Sequence, residues 1–117
     1  MLTIDPKTFA ESWCAAWNAR DIEAVLAHFH DDATFTSPFA RRIWPDSPGV
    51  FSGKPAIRAY WTEGLKMVPD LHFRIETVFS GVDTVVIHYV NQAGRHVAEV
   101  LTFQGDKVIS GHGTYAG

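Results

Sequence analysis

Cysteine is nearly absent: Cys14 is the only one in 117 residues. An internal disulfide is therefore excluded, which suits a reducing cytosol, and a lone thiol inside a helix serves as a small buried hydrophobe. Long apolar runs are missing too. The longest, such as "VVIHYV" at 85–90, fall far short of the roughly 20 residues that a membrane-crossing helix needs. The opening "MLTIDPKTF" has no basic segment followed by an apolar stretch, so no signal peptide is expected. A soluble, cytoplasmic protein with no membrane partner is the expectation. Basic charge is also thin: the formal net charge is −3 and Arg41–Arg42 is the only adjacent basic pair. Nucleic-acid binding, which calls for a basic stripe or face, is set aside. There is no internal repeat and no low-complexity segment.

What is present is apolar content, 46% of 117 residues, enough for one domain, 1–117, burying roughly 65% of its unfolded surface. The first half reads as helical. Asp5 can cap and Pro6 suits a first helical position, with Phe9, Trp13, Ala16 and Trp17 recurring on one face. Asp21 can cap a second helix, "IEAVLAHFH", before "DDATFTSP" switches to period two as a short strand ended by Pro38. Residues 39–52, with two prolines and a glycine, read as an irregular loop with a short strand near its end. "KPAIRAYWTEGLKM" is a third helix. From Leu71 onward four strands follow, "LHFRIETVFS", "TVVIHYVNQ", "RHVAEVLTFQ" and "KVISGHGTYA", so the fold class is α+β. In the first of these, Phe73, Ile75, Thr77 and Phe79 form the mostly apolar set and are expected to face the core.

One carboxylate stands out. In "HVAEVLTF" the alternation puts Glu99 on the same face as Val97, Leu101 and Phe103. A two-residue tip at Gly105-Asp106 sets Glu99 opposite His112, and a two-residue tip at Ala93-Gly94 sets His88 opposite Glu99. A three-residue loop at the second tip would instead bring Ile87 or Tyr89 beside it. On the two-residue count, His88, Glu99 and His112 form a polar trio facing the helices. Such a trio can be a mutually satisfied buried network, a two-histidine, one-carboxylate metal set, or an acid–base site. Burying ionisable groups costs several kcal/mol unless compensated, which favours a functional role.

The stretches "WCAAWNARDIEAVLAHFHDDATFTSP", "FSGKPAIRAYW" and "EVLTFQGDKVISGHGTY" resemble the nuclear transport factor 2-like superfamily, and within it the SnoaL-like polyketide cyclases and ketosteroid isomerases. The resemblance spans nearly the whole chain. It implies three N-terminal helices packed on a strongly curved, mostly antiparallel sheet that forms a cone-shaped pocket, commonly as a dimer through the outer sheet face. Ketosteroid isomerases join a tyrosine and a protonated aspartate as an oxyanion hole with a second aspartate as base. Those positions fall on Trp13, Glu99 and Ser37, so only Glu99 keeps the chemistry. The cyclases imply a single acidic residue in an apolar cavity, a role open to Glu99.

Trp13, Trp17, Phe35, Ser37, Phe39 and Trp61 are then the candidates to line a pocket for a small apolar or aromatic ligand. Val85, Ile87, Tyr89, Val100 and Ile109 are expected on the outer face, too apolar for a solvated sheet and fit for a homodimer. The expected activity is cofactor-independent acid–base chemistry of isomerase, cyclase or hydrolase type, with Glu99 moving the proton, His112 and His88 tuning it, and no metal. The rival is a non-catalytic ligand-binding or dimerisation domain. Asp31 and Asp32 are read as turn and solvation residues, and Arg41 or Arg42 as a rim that could meet an anion.

Overall fold

The Asp5 carboxylate starts the first helix, α1 (Pro6–Asn18), by accepting a hydrogen bond from the Thr8 amide at 2.9 Å in the computed structural model, which describes residues 1–117. Its buried face carries Phe9, Trp13, Cys14 and Trp17, the helical period expected. Asp21 likewise caps α2 (Ile22–Leu26) through Ala24 at 3.1 Å. This helix is shorter than expected because Phe29 already pairs with Val108, which hands the chain to β1 (Phe29–Thr36). The supposedly irregular loop holds a one-turn helix, α3 (Ala40–Ile43), and the expected short strand, β2 (Val50–Ser52). Gly49 lies between them at φ +74°, where a Cβ would come within 2.8 Å of the Ser37 carbonyl oxygen. Only glycine lets the chain fold this closely over Ser37. The long helix α4 (Lys54–Met67) follows.

The remaining strands are β3 (Arg74–Ser80), β4 (Thr84–Val90), β5 (His96–Gln104) and β6 (Lys107–Tyr115). They build one six-stranded sheet in the order β2-β1-β6-β5-β4-β3, antiparallel except where β1 runs parallel to β6. The sheet is curled and unclosed, and 23 buried apolar residues join its inner face to the helices as one cluster. No helix is long and apolar enough to cross a membrane.

Register departs from expectation in all three hairpins; Ile75 and Phe79, expected opposite His88 and Thr84, pair with Tyr89 and Val86. In β3 the pairing moves from Ile75 with Tyr89 to Thr77 with His88, so Glu76 is an extra residue. Val78 turns inward and Phe79, expected in the core, faces outward at 56% exposure. Between β4 and β5, Asn91 faces Arg95 across three loop residues, with Gly94 at φ +76° in the left-handed position that alanine would resist. Between β5 and β6 the Gly105-Asp106 tip holds, with Gln104 opposite Lys107, but Ile109 bulges out and Thr102 pairs with Ser110.

A one-residue slip exchanges the two faces of a strand. Glu99 therefore pairs with Ile87 and Gly113, not with His88 and His112. Val85, Ile87 and Tyr89, expected outside, lie inside at 3% exposure or less. The energetic reason is area: these three bury more apolar surface against the helices than Val86, His88 and Val90 could.

Candidate functional site

Glu99 owes its place to its strand neighbours. Val97, Leu101 and Phe103 must face the core, and alternation carries Glu99 in with them at 7% exposure. Gly113 on β6 leaves the space beside it open: a Cβ there would lie 3.5 Å from Glu99 Oε1 and 3.3 Å from Ser37 Oγ. Tyr89, diagonally across on β4, donates its hydroxyl to Glu99 Oε1 at 3.0 Å. The Tyr89 ring is fixed by Phe73 and Trp13, with centroids 4.3 and 5.4 Å away. Burial pushes the Glu99 carboxyl up to about 7, with the Tyr89 hydrogen bond working weakly the other way.

Glu99 lies on the wall of a cavity of about 420 Å³. Trp17, Phe35, Phe39, Trp61, Leu65 and Phe73 supply apolar walls, and Ser37, Tyr60, Tyr89 and Tyr115 supply hydroxyls around the carboxyl. Arg42, Asp70 and Arg95, all exposed, and the half-buried Gln92 also line it, so the cavity reaches the surface. Burial raises all three phenols above their ordinary value, and the Glu99 charge adds to the effect. They are hydrogen-bond donors at neutral pH. Of the 28 buried residues only two, Ser37 and Glu99, are polar or charged, and both line this cavity.

Five of the six expected pocket residues, Trp17, Phe35, Ser37, Phe39 and Trp61, line the cavity. Trp13 does not; at 2% exposure it stacks on Phe73 behind the wall. His88 and His112 stand on the opposite face of the sheet. His88 Nε2 shares a hydrogen bond with His96 Nδ1 at 2.8 Å, and His112 bonds Thr36 Oγ1 and Ser110 Oγ at 2.6 and 3.0 Å. The candidate metal set is separated with them, and no group of three His, Cys, Asp or Glu side chains converges anywhere in the chain. Arg42 lines the cavity, whereas Arg41 donates to the Ser47 carbonyl at 3.2 Å. Asp31 is exposed and 3.5 Å from Lys54.

Tyr60 and Tyr115 are what sequence reasoning missed: Tyr60 sits unmarked inside a helical pattern, and Tyr115 is at a strand end. Tyr89 was expected on the outer face under the two-residue count and beside Glu99 only under the three-residue loop, which is the loop the structure has. The available signal was number: the chain has three tyrosines, and all three line one cavity.

A family model described as a SnoaL-like domain matches residues 10–111. The chain belongs to the SnoaL-like family. No curated protein matches it. Among solved structures, a SnoaL-like protein of unknown function from Burkholderia thailandensis is 40% identical, with a TM-score of 0.87 over 96% of this chain and 95% of its own. TerC, co-crystallised with polyporic acid, is 16% identical with a TM-score of 0.79 over 96% and 92% of the two chains. A protein from Catenulispora acidiphila with a ketosteroid isomerase-like fold, in complex with trimethylamine, is 19% identical with a TM-score of 0.77 over 96% and 88%. These last two share the SnoaL-like fold. The superfamily resemblance of the sequence is thereby established, and this SnoaL-like chain keeps its buried polar groups where the fold leaves a cavity.

Proposed function

We propose that this protein is a cofactor-independent enzyme that moves a proton on a small, largely apolar molecule, with Glu99 as the acid–base group. The observation that carries this reading is that the core's two buried polar residues, Ser37 and Glu99, both line one aromatic cavity that is open to the surface. A carboxyl with a pKa of about 7 is matched to taking and returning a proton near neutral pH. As a carboxylate, held by the Tyr89 hydroxyl, it would abstract a proton from carbon next to a carbonyl, while Tyr60 and Tyr115 supply O–H donors for the oxyanion that forms. Returning that proton to another atom completes an isomerisation. Attack of the carbanion on a second carbonyl, with the proton passed to the new alkoxide, completes a cyclisation. Neighbours of the same fold crystallised with polyporic acid and trimethylamine support a small-molecule occupant.

The partner at the outer face is proposed to be a second copy of this chain. The outward positions Val86, His88 and Val90, Ala98, Val100 and Thr102, and Ser110, His112 and Thr114 carry no Asp, Glu, Lys or Arg. A charge-free sheet face of this kind suits the core of an interface.

The test needs no knowledge of the natural substrate. Bicyclic aryl ketones such as 1- and 2-tetralone exchange their α-protons for deuterium in D₂O at a rate readable by NMR. The protein should accelerate that exchange, and Glu99→Gln should abolish the acceleration while leaving tetralone binding within about threefold. Equal exchange with wild type and Glu99→Gln, both binding the ketone, would leave the rival reading, a binding domain, in possession of the cavity.

A further inference from the structure

The cavity's outer rim is built as well as its floor. The β4–β5 loop is held by one side chain: Asn91 Oδ1 accepts from the Ala93 and Arg95 amides, each at 3.0 Å, and the Gly94 amide donates to the Asn91 carbonyl at 2.9 Å. This Asx-type turn needs nothing from its other side chains. It presents Gln92 and Arg95 to the cavity. The Arg95 guanidinium lies over the Tyr115 ring, 5.0 Å from its centroid, and makes no ion pair. Gln92 Oε1 is the one buried side-chain polar atom in the chain with no hydrogen-bond partner. Its amide can be turned to offer either oxygen or N–H. Arg42, which lines the same cavity and lies over the Phe39 ring at 6.0 Å, is also free of any ion pair. Asp70 is the rim's only carboxylate, so the cations outnumber it two to one.

We infer that the rim is an anion-recognition subsite, and that the ligand is an amphipathic monoanion: an apolar ring body carrying a carboxylate that Arg95, with Gln92 and Arg42, meets at the cavity mouth. This inference rests on the small-molecule reading of the cavity and adds ligand class and orientation to it. Orientation follows from charge. The inner end holds a carboxyl that is itself partly ionised near neutral pH, so a second anion beside it would be repelled, whereas the mouth supplies two unpaired guanidiniums. The ligand's neutral carbonyl end therefore points to Glu99 and its anionic end to solvent. Tyr115 fixes the plane of Arg95, which lowers the entropy lost when a carboxylate docks on it.

Matched naphthyl probes separate this claim from the broader one. Quenching of tryptophan fluorescence, with Trp17 and Trp61 in the wall, reads binding of 2-naphthoate and of neutral 2-naphthamide at low salt. The carboxylate should bind about tenfold more tightly than the amide, as expected for one charge-assisted contact in a partly exposed site. Arg95→Gln should cut that preference to about twofold or less without weakening the amide, Arg42→Gln should cut it by a smaller factor, and Glu99→Gln should preserve it. Equal binding of the two probes, or a preference unchanged in Arg95→Gln, overturns the subsite and leaves the cavity reading intact. Failure of both probes to bind overturns the subsite and the small-molecule reading together.

Discussion

The two faces of β4, β5 and β6 carry ionisable groups at alternate positions of the same strands, yet they treat them in opposite ways. Outside, His88 has His96, and His112 has Thr36 and Ser110, each within 3.0 Å; these are locally satisfied groups on a half-exposed surface. Inside, Glu99 has one partner, Tyr89, and apolar walls. A group that is satisfied where it stands contributes register and solubility. A group that is desolvated with a single donor is costly to fold, and that cost is reflected in its altered proton affinity. The slip of one residue decides which group receives which treatment.

The largest expected effect comes from removing the costly group. In the unfolded chain Glu99 ionises near its ordinary value of 4.5, and in the folded chain near 7. Below pH 4.5 it is protonated in both states and costs nothing. Between the two values the unfolded state alone releases the proton, so stability falls as pH rises, and above 7 the penalty is constant at about 3 kcal/mol. Glu99→Gln should therefore be indistinguishable from wild type at pH 4 and more stable by up to about 3 kcal/mol at pH 8, measured by urea unfolding. A difference between the two proteins that does not change with pH would break the comparison.

Tyr89→Phe should come next. It leaves a buried carboxyl without its donor, costing about 1–3 kcal/mol at pH 5 in the same unfolding experiment. Because that hydrogen bond lowers the Glu99 pKa, its loss should also move the carboxyl's titration upward. The smallest effects belong to the outer face: His88→Gln and His112→Gln keep hydrogen-bonding capacity and should each cost under about 1 kcal/mol, with no shift in the Glu99 titration. A loss beyond about 2 kcal/mol from either histidine would mean that the two faces are not so different.

The same contrast explains what could be read from the sequence alone. α4 was legible at both ends and α1 at its start because cap and period are local: Asp5 with Pro6 starts α1, and the Ile57, Trp61 and Leu65 face marks α4. Glu99 was legible too, since its companions Val97, Leu101 and Phe103 share its strand. Its neighbours were not, because they depend on an extra residue at Ile109 and on the third loop residue before Arg95. Neither leaves a strong local signature. Gly94 fits either loop length, and a bulge at Ile109 is favoured only because it lets Val108 and Gly111 both face inward, where both are buried. Errors of one residue in the β4–β5 and β5–β6 hairpins were enough to replace a tyrosine with two histidines in the expected site.

The most direct test is the titration of Glu99 itself. With ¹³C-labelled glutamate and Glu99→Gln to identify the signal, the carboxyl resonance followed by NMR from pH 3 to pH 9 should show one glutamate with a midpoint near 7, unchanged when His88 and His112 are both replaced by Gln. A midpoint near 4.5, the ordinary value, would show that the carboxyl is solvated or paired. Glu99 would then lack the tuned proton affinity on which the proposed chemistry depends.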